Sequence, residues 1–210
     1  MVDAQVQSAR VYQAPATLRS LRLGASAAAT DESLIQQIAA GDRRAMQLLF
    51  ARHSVRVFRF VLRIAKDRSL ADDLVGDIFL DLWRRGYRFD GRSKASTWLL
   101  AVARHKTISV LRRRRVHADL GDAADVEDPS NSAEAAAAIE DRKNVLRDCI
   151  AKLSANHREI IDLVYYHEKP IDEVAGIVGI PLNTVKTRMH YARKQLAALL
   201  AEAGIDRYSL

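Results

Sequence analysis

The amino-acid sequence predicts an all-α protein with two small helical domains joined by an acidic flexible linker. The 210 residues include only 9 Gly and 4 Pro, and apolar residues recur at three- and four-residue steps, the period of an amphipathic helix. Residues 31–115 hold 19 basic and 9 acidic side chains, and residues 116–141 hold eight acidic side chains and no Lys or Arg. Because residues 142–210 are again mildly basic, the charge pattern indicates two modules and a linker.

Composition excludes several classes of protein. The single Cys149 rules out a disulfide framework and a multi-thiolate zinc site. No apolar run approaches the roughly 18 residues that a membrane span needs, so we expect a cytoplasmic protein. Residues 1–30 are acid-poor but lack a long apolar stretch, which favours a disordered tail over a transit peptide or a secretory signal. The net charge of +7 makes nucleic acid the natural partner to consider.

Four helices are predicted in the first domain, residues 31–115. Thr30 or Asp31 can cap the first helix, which Gly41 can end. Asp42 can cap a second, longer helix. A third helix opens at the segment Ser69-Leu70-Ala71-Asp72, and its apolar residues at helical spacing predict the buried stripe Leu74, Val75, Ile78, Leu82 and Trp83.

Three aspartates, Asp73, Asp77 and Asp81, share one face of this third helix at a spacing of four. Like charges at that spacing cost a helix about 0.2–0.5 kcal/mol per pair unless something compensates them. The ridge can be a solvated face or a docking surface for a basic partner. A magnesium and diphosphate site that includes Asp72 is a third reading, but no second acidic motif and no phosphate-binding loop accompany it.

The fourth helix is flanked by aromatic and cationic residues. Tyr87 and Phe89 lie among cations in the preceding loop, and the helix starts at Ser96-Thr97-Trp98. It ends in the four consecutive arginines 112–115, more cations than the helix C-terminus needs. Rings beside cations suit single-stranded nucleic acid, because every base has a π-face and every linkage a charge. For Trp98 the alternative is an ordinary place in the core.

The second domain, residues 142–204, begins with helices that Asp141 and Ser154 can open. Pro170 fits the first position of a short helix that ends at Gly179. After the turn at Ile180-Pro181, Asn183 can cap a longer helix, which completes a helix-turn-helix pattern. The outward side chains of this last helix are donors near the end that reaches base edges in the major groove. They are Thr184, Lys186, Thr187, Arg188, His190, Tyr191 and Lys194.

Four segments of the chain are found together in one known family. They are residues 31–42, residues 71–83 (ADDLVGDIFLDLW), residues 89–105 and residues 184–193 (TVKTRMHYAR). In this order and spacing they resemble the opening, the polymerase-binding helix, the promoter-melting helix and the recognition helix of bacterial extracytoplasmic-function (ECF) sigma factors of the sigma-70 family. The resemblance implies a sigma-two domain, a flexible linker and a sigma-four domain, without the middle domain of housekeeping sigma factors.

The resemblance implies a protein that binds core RNA polymerase and directs promoter-specific initiation. Such a protein recognises the −35 and −10 elements and melts the −10 region. The residues implied for binding core polymerase are Asp73, Asp77, Phe79 and Asp81. The residues implied at the −10 element and the duplex beside it are Arg88, Lys94, Ser96, Trp98, Arg104, Arg112, Arg113, Arg114 and Arg115. The seven outward residues of the last helix are implied at the −35 element.

The implied partners are core RNA polymerase, promoter DNA and an anti-sigma factor. We expect no catalytic residue, no metal site and no cofactor, since the six His show no ligand spacing and the chain has no glycine-rich phosphate loop. The acidic residues 116–141 resemble the family's segment that runs through the active-site cleft, with an ordinary spacer as the alternative. Tyr191 stands where many members have a basic residue. The alternative function is a helix-turn-helix transcriptional regulator that acts without core polymerase.

Overall fold

The computed structural model describes residues 29–85, 89–117 and 137–205, and in these ranges the chain forms α-helices and one π-helical turn. The helices are α1 (Asp31–Ala39), α2 (Arg43–Ala65), α3 (Arg68–Arg85), α4 (Ala95–His117), α5 (Ala137–Ala151), α6 (Ala155–Ile161), α7 (Ile171–Val178) and α8 (Leu182–Glu202). The π-helical turn follows α6 directly. The described residues include no strand, and the all-α prediction is confirmed.

The chain divides into two compact units, Met1–Pro129 with α1–α4 and Ser130–Leu210 with α5–α8. The division falls within the predicted linker, residues 116–141. Helices nevertheless enter that segment from both sides, because α4 extends to His117 and α5 begins at Ala137. The first two residues and the last five residues of the predicted linker are therefore helical. Its central part and the predicted N-terminal tail up to residue 28 lie outside the described residues.

Capping at the start of the first unit follows the prediction. Thr30 Oγ1 accepts a hydrogen bond from a backbone N–H in the first turn of α1 at 3.2 Å. Asp42 Oδ1 accepts from the backbone N–H groups of Arg44 and Ala45 at 2.7 and 3.2 Å. Gly41 has φ +89°, a left-handed conformation that favours glycine between two helices. These caps satisfy N–H groups that have no partner inside the helix.

The turn between α2 and α3 is tighter than predicted. Lys66 adopts a left-handed conformation with φ 54° and ends α2. Asp67 Oδ1 then accepts a hydrogen bond from the Leu70 N–H at 2.9 Å. Asp67 therefore caps α3, which begins at Arg68, one residue before the segment from Ser69 that was expected to open it.

All four helices contribute to the core of the first unit. Glu32 Oε1 on α1 accepts a hydrogen bond from the Ala95 N–H at 2.9 Å, so a carboxylate 63 residues away caps α4. Ile108 on α4 is an exception among the large apolar residues of this unit, because it is 37% exposed. Each large apolar side chain in the core contributes about 1.5–3 kcal/mol. The fully buried large side chains are Leu34, Ile35, Ile38, Leu49, Val57, Phe60, Val61, Ile78 and Leu100.

The second unit contains the predicted helix-turn-helix with small shifts in its boundaries. Ser154 Oγ caps α6 by accepting from the His157 N–H at 3.3 Å, as predicted. Pro170 is extended, with ψ 155°, and precedes α7 instead of occupying its first turn. Gly179 ends α7 in a left-handed conformation with φ +71°. The extended Pro181 lets α8 begin at once, so Asn183 lies inside the first turn and does not cap the helix as expected.

None of the helices in residues 29–85, 89–117 and 137–205 is long and apolar enough to cross a membrane.

Candidate functional site

A single lysine ties the acidic face of α3 to α4. Lys106 Nζ lies 2.6 Å from Asp81 Oδ2 and 3.5 Å from Asp77 Oδ2. The same ammonium group donates a hydrogen bond to the backbone carbonyl of Asp77 at 2.9 Å. The Lys106 side chain is only 20% exposed, so these contacts are better shielded from water than those of an ordinary surface ion pair. The C-terminal half of the aspartate ridge is therefore partly neutralised from within.

Compensation by Lys106 weakens towards the N-terminal end of the ridge. Asp73 is exposed, and no ion pair in the described part of the chain involves it. Asp77 is exposed as well and makes only the longer contact with Lys106. Asp73 and Asp77 thus present carboxylates to solvent from a helix that is fixed by the buried side chains of its opposite face.

Phe79 does not reach the surface of α3. Its side chain is 2% exposed and packs edge-on against Phe50 of α2, with ring centroids 4.8 Å apart. The expectation that Phe79 binds a partner directly is therefore corrected. Its ring holds α3 against α2 and so helps to fix the position of the helix that carries the exposed aspartates.

Trp98 lies at the start of α4 and is half-buried. Its ring meets Phe89 edge-on, with ring centroids 5.5 Å apart. Lys94 is exposed, and its backbone carbonyl accepts the Trp98 N–H at 3.0 Å, which makes it part of the first turn. Ser96 and Arg104 are half-buried. The aromatic pair therefore lies at the start of α4, one turn from Lys94, whereas Arg104 lies six residues further along the helix and Arg88 falls outside the described residues.

The C-terminal end of α4 carries the predicted arginine cluster. Arg112, Arg113 and Arg114 are exposed. Arg114 Nη1 lies 3.3 Å from Asp67 Oδ2, in the turn before α3, and Arg113 Nε donates to a backbone carbonyl of α4 at 3.3 Å. The side chain of Arg115 lies outside the described residues. Most of the cluster's positive charge faces solvent.

The outward face of α8 is polar and accessible to solvent, whereas the opposite face is apolar and buried. Val185, Met189 and Ala192 are buried against the rest of the second unit. On the other side, Thr184 and Arg188 are half-buried, Tyr191 is 55% exposed, and the remaining predicted residues are exposed. None of the cations on this face forms an ion pair with a described residue. These are Lys186, Arg188 and Lys194.

Two side chains on the predicted DNA-binding face of α8 already interact with other residues of the same helix. Thr187 Oγ1 donates to the Asn183 backbone carbonyl at 2.9 Å, which uses its hydrogen for the helix itself. Tyr191 packs its ring edge-on against His190, with centroids 5.5 Å apart. Near the N-terminus of the helix, the face therefore offers Lys186 and Arg188, which form no ion pair with a described residue. The aromatic pair of His190 and Tyr191 lies one turn further on.

The magnesium reading of the ridge has no support in the geometry. Residues 29–85, 89–117 and 137–205 contain no group of three or more His, Cys, Asp or Glu side chains that could hold a metal ion. Asp72, Asp73 and Asp77 therefore do not converge on a common point. The ridge is a surface rather than a coordination site.

Comparison with known families gives two matches in the predicted order. Residues 49–116 match Sigma-70 region 2, and residues 143–196 match Sigma-70, region 4. The ECF RNA polymerase sigma factor SigL of Mycobacterium tuberculosis is 32% identical over 172 residues, which cover 80% of this chain and 96% of SigL. The chain belongs to the ECF sigma factors of the sigma-70 family.

Other relatives of this sigma factor agree in length and fold. The ECF RNA polymerase sigma factor SigK of Mycobacterium ulcerans is 28% identical over 169 residues, covering 78% of this chain and 90% of SigK. The solved structure of CnrH in complex with the cytosolic domain of CnrY has a TM-score of 0.60 and 26% identity, and covers 82% of this chain and 97% of its own. The sigma factor RpoE of Bartonella quintana, solved with the anti-sigma factor NepR, has a TM-score of 0.59 at 23% identity and covers 72% of this chain and 94% of its own, which supports the fold.

Sequence reasoning missed Lys106 as part of this sigma factor's acidic surface. A signal was present, because Lys106 lies on the same side of α4 as the buried Leu99 and Ala103, at spacings of seven and three. A lysine on the inner face of a helix requires a partner, since a buried unpaired charge is very unfavourable. Asp77 and Asp81 on a neighbouring helix were the available partners.

Sequence reasoning also missed a charged cluster between α1 and α2. Asp31 contacts Arg52 Nη1 at 2.8 Å and His53 Nε2 at 2.6 Å. Burial alone would raise the pKa of the Asp31 carboxyl. The hydrogen bonds and positive charges of Arg52 and His53 outweigh that effect and hold its pKa below the ordinary value of 3.8. This cluster fixes the beginning of α1 on α2.

Proposed function

We propose that this protein directs core RNA polymerase to promoters, with the acidic face of α3 docking on polymerase and the outward face of α8 reading the −35 element. The observation that supports the proposal is that the two units expose side chains of opposite charge on the two faces named above. The sigma region 2 unit presents the exposed carboxylates of Asp73, which forms no ion pair with a described residue, and of Asp77, which lies 3.5 Å from Lys106. The sigma region 4 unit presents cations that form no ion pair with a described residue, on the second helix of a helix-turn-helix.

The proposal gives the first unit a second task at the −10 element. Trp98 with Phe89 supplies aromatic surface in the turn of α4 that contains Ser96 and follows Lys94, and Arg104 lies further along the same helix. Stacking on aromatic rings is worth about 1–3 kcal/mol per base, which can offset the cost of taking a base out of the duplex. The exposed arginines at the end of α4 would hold the phosphates of the adjoining duplex. They are Arg112, Arg113 and Arg114.

In this function the protein works without catalysis, metal or cofactor, and it acts in the cytoplasm beside the polymerase. An anti-sigma protein that covers Asp73 and Asp77, or the face of α8 with Lys186, would keep it inactive until a signal arrives. The uncompensated charges on both faces support such a partner, because they are the groups that a competitor for polymerase or DNA would have to cover.

Binding to core polymerase tests the docking surface directly. We expect Asp73→Ala/Asp77→Ala to weaken the complex at least tenfold, about 1.4 kcal/mol, in a fluorescence anisotropy titration with labelled protein. Asp72→Ala is the matched control, because Asp72 is an exposed neighbour that lies off the ridge by about 100°. Equal loss in both variants, or no loss in either, would refute the assignment of the ridge.

A further inference from the structure

A row of arginines lies along the C-terminal half of α2. Arg52, Arg56, Arg59 and Arg63 follow one another at steps of four, three and four, and all four are exposed. At about 100° per residue they fall within a stripe roughly 60° wide, and at 1.5 Å per residue the stripe is about 16 Å long. The charge pattern of the sequence alone did not single out this arginine row.

The charge of the arginine row is not balanced within its own helix. α2 contains six Arg and no Asp or Glu over its 23 residues. Asp31 of α1 contacts Arg52 at the N-terminal end of the row, and Arg56 has no ion pair with a described residue. Like charges at this spacing oppose helix formation. Each guanidinium also has five N–H donors, so one bond within the protein leaves donors that face solvent.

The turn that follows the arginine row contacts the arginine cluster of α4. Arg63 precedes Asp67 by four residues, and Asp67 Oδ2 holds Arg114 Nη1 at 3.3 Å. The turn after α2 therefore joins two basic surfaces of the first unit. The row extends the positive surface of the candidate DNA-binding end of α4 along a second helix.

The chemistry of the row fits phosphates better than a protein surface. Protein interfaces usually have an apolar or aromatic centre, but none of the exposed large apolar side chains in the described residues lies on α2. Guanidinium groups match the geometry of phosphate oxygens and can bind them in pairs. A duplex strand carries one phosphate per about 3.4 Å of helix axis, so about 16 Å of row spans four or five phosphates.

We propose that the arginine row on α2 binds the phosphate backbone of promoter DNA next to the segment held by α4. The row is a second, sequence-independent contact of the region 2 unit, and it adds to affinity and to the salt dependence of binding without choosing a sequence. The reference to promoter DNA rests on the proposed function, whereas the phosphate-binding property of the row does not.

The test compares two pairs of substitutions that remove the same charge from the same helix. Arg56→Gln/Arg59→Gln changes the centre of the row. Arg43→Gln/Arg44→Gln changes exposed arginines of the first turn of α2 that lie off the row. Arg56→Lys/Arg59→Lys keeps the charge. Holoenzyme and free protein are each titrated with duplex DNA at several salt concentrations, and core binding and thermal melting are measured for every variant.

We expect the glutamine pair in the row to reduce the slope of log affinity against log salt by about 1.8, because each phosphate that is no longer neutralised lowers the slope by about 0.9. The lysine pair should keep most of the slope, and the control pair should change it by less than half as much. Core binding and melting temperature should stay at their wild-type values.

Three results would overturn the proposal. An unchanged slope in the row variant would mean that the row is an ordinary solvated face. Loss of core binding with an unchanged slope would assign the row to an acidic protein surface. Equal reductions of the slope in the row and control pairs would mean that the slope depends on the net charge of the protein and not on a phosphate contact at the row. If wild-type protein does not bind core at all, the proposed function fails, but the free-protein titrations still decide whether the row binds phosphates.

Discussion

The acidic face of α3 and the outward face of α8 hold their charges in different ways. On α3, Asp81 and Asp77 are engaged by Lys106 from a neighbouring helix, and only the Asp73 end is uncompensated. On α8, Lys186 and Arg188 belong to no ion pair with a described residue. One surface is partly neutralised and anchored, and the other presents free donors.

This difference corresponds to the two kinds of partner. A protein partner meets a helix of fixed position, so an internal lysine that ties α3 to α4 limits repulsion along the ridge and keeps the exposed carboxylates in place. DNA supplies its own array of acceptors, so cations that read bases or bind phosphates gain most when no internal carboxylate competes for them. The arginine row on α2 resembles α8 in this respect more than it resembles α3.

The largest expected effect comes from removing Lys106, which partly neutralises the acidic face of α3, and it is a loss of stability of the first unit. Lys106→Met removes the ammonium group that lies 2.6 Å from Asp81 Oδ2, and hydrogen bonds to charged groups contribute about 1.5–3 kcal/mol. We expect a loss of that size in urea unfolding followed by tryptophan fluorescence, which reports the first unit because Trp83 and Trp98 both lie there. Asp73→Asn is the control and should change stability by less than about 0.5 kcal/mol. Similar losses in both variants would remove the distinction between the two ends of the ridge.

On α8 we expect the opposite pattern, with binding affected and stability unchanged. Arg188→Ala should weaken promoter binding by about 1–3 kcal/mol if the guanidinium reads a guanine, and should relax preference at one −35 position. Selection of bound sequences from a randomised −35 library measures both effects. Unaltered preference and strength would show that this helix does not read the promoter.

A smaller effect is expected at the end of α4. Arg112→Gln/Arg113→Gln should lower the salt slope of holoenzyme binding by about 0.9 for each phosphate that is no longer neutralised, with no change in sequence preference. Arg114→Gln should lower it less, because Arg114 already contacts Asp67 at 3.3 Å. A double substitution without effect on the slope would leave these arginines with a helix-capping role only.

The smallest effect concerns the acid stability of the first unit. The folded-state pKa of Asp31 is lowered from 3.8, so its ionised form adds stability that is complete above pH 3.8 and is lost as pH falls through the lower folded value. Wild type should therefore be more stable than Asp31→Asn near neutral pH, and the two should converge in strong acid. Tryptophan fluorescence during urea unfolding at several pH values measures the difference, and a constant difference at all pH values would argue against this role of the carboxylate.

Local features of the fold were predictable from the sequence because they depend on neighbouring residues. Thr30, Asp42 and Ser154 cap the helices that follow them, and Gly41 and Gly179 adopt the left-handed conformations that end helices. Errors arose where two local signals competed. Both Pro181 and Asn183 can begin a helix, and the structure uses the extended proline.

Features that depend on tertiary contacts were not predictable from the sequence alone. Lys106 and Asp81 are 25 residues apart, and no local pattern assigns one to the other. The family resemblance implied that Phe79 contacts a partner, but its ring packs against Phe50 of α2. Lys169 and Glu173 are only four residues apart and form an ion pair of 3.2 Å, but the burial of this pair beside the π-helical turn depends on the fold. The positions of the ridge and of α8 followed from periodicity, whereas their charge balance required the fold.

The central claim is that the two surfaces act together only on polymerase, and a mobility-shift titration tests it most directly. One promoter fragment is titrated with free protein and with protein plus core polymerase, using wild type and Asp73→Ala/Asp77→Ala. We predict weak, salt-sensitive binding by the free protein, and sequence-specific binding only with core and with the ridge intact. Specific nanomolar binding without core, unaffected by core and by the double substitution, would contradict the account and indicate a regulator that acts without polymerase.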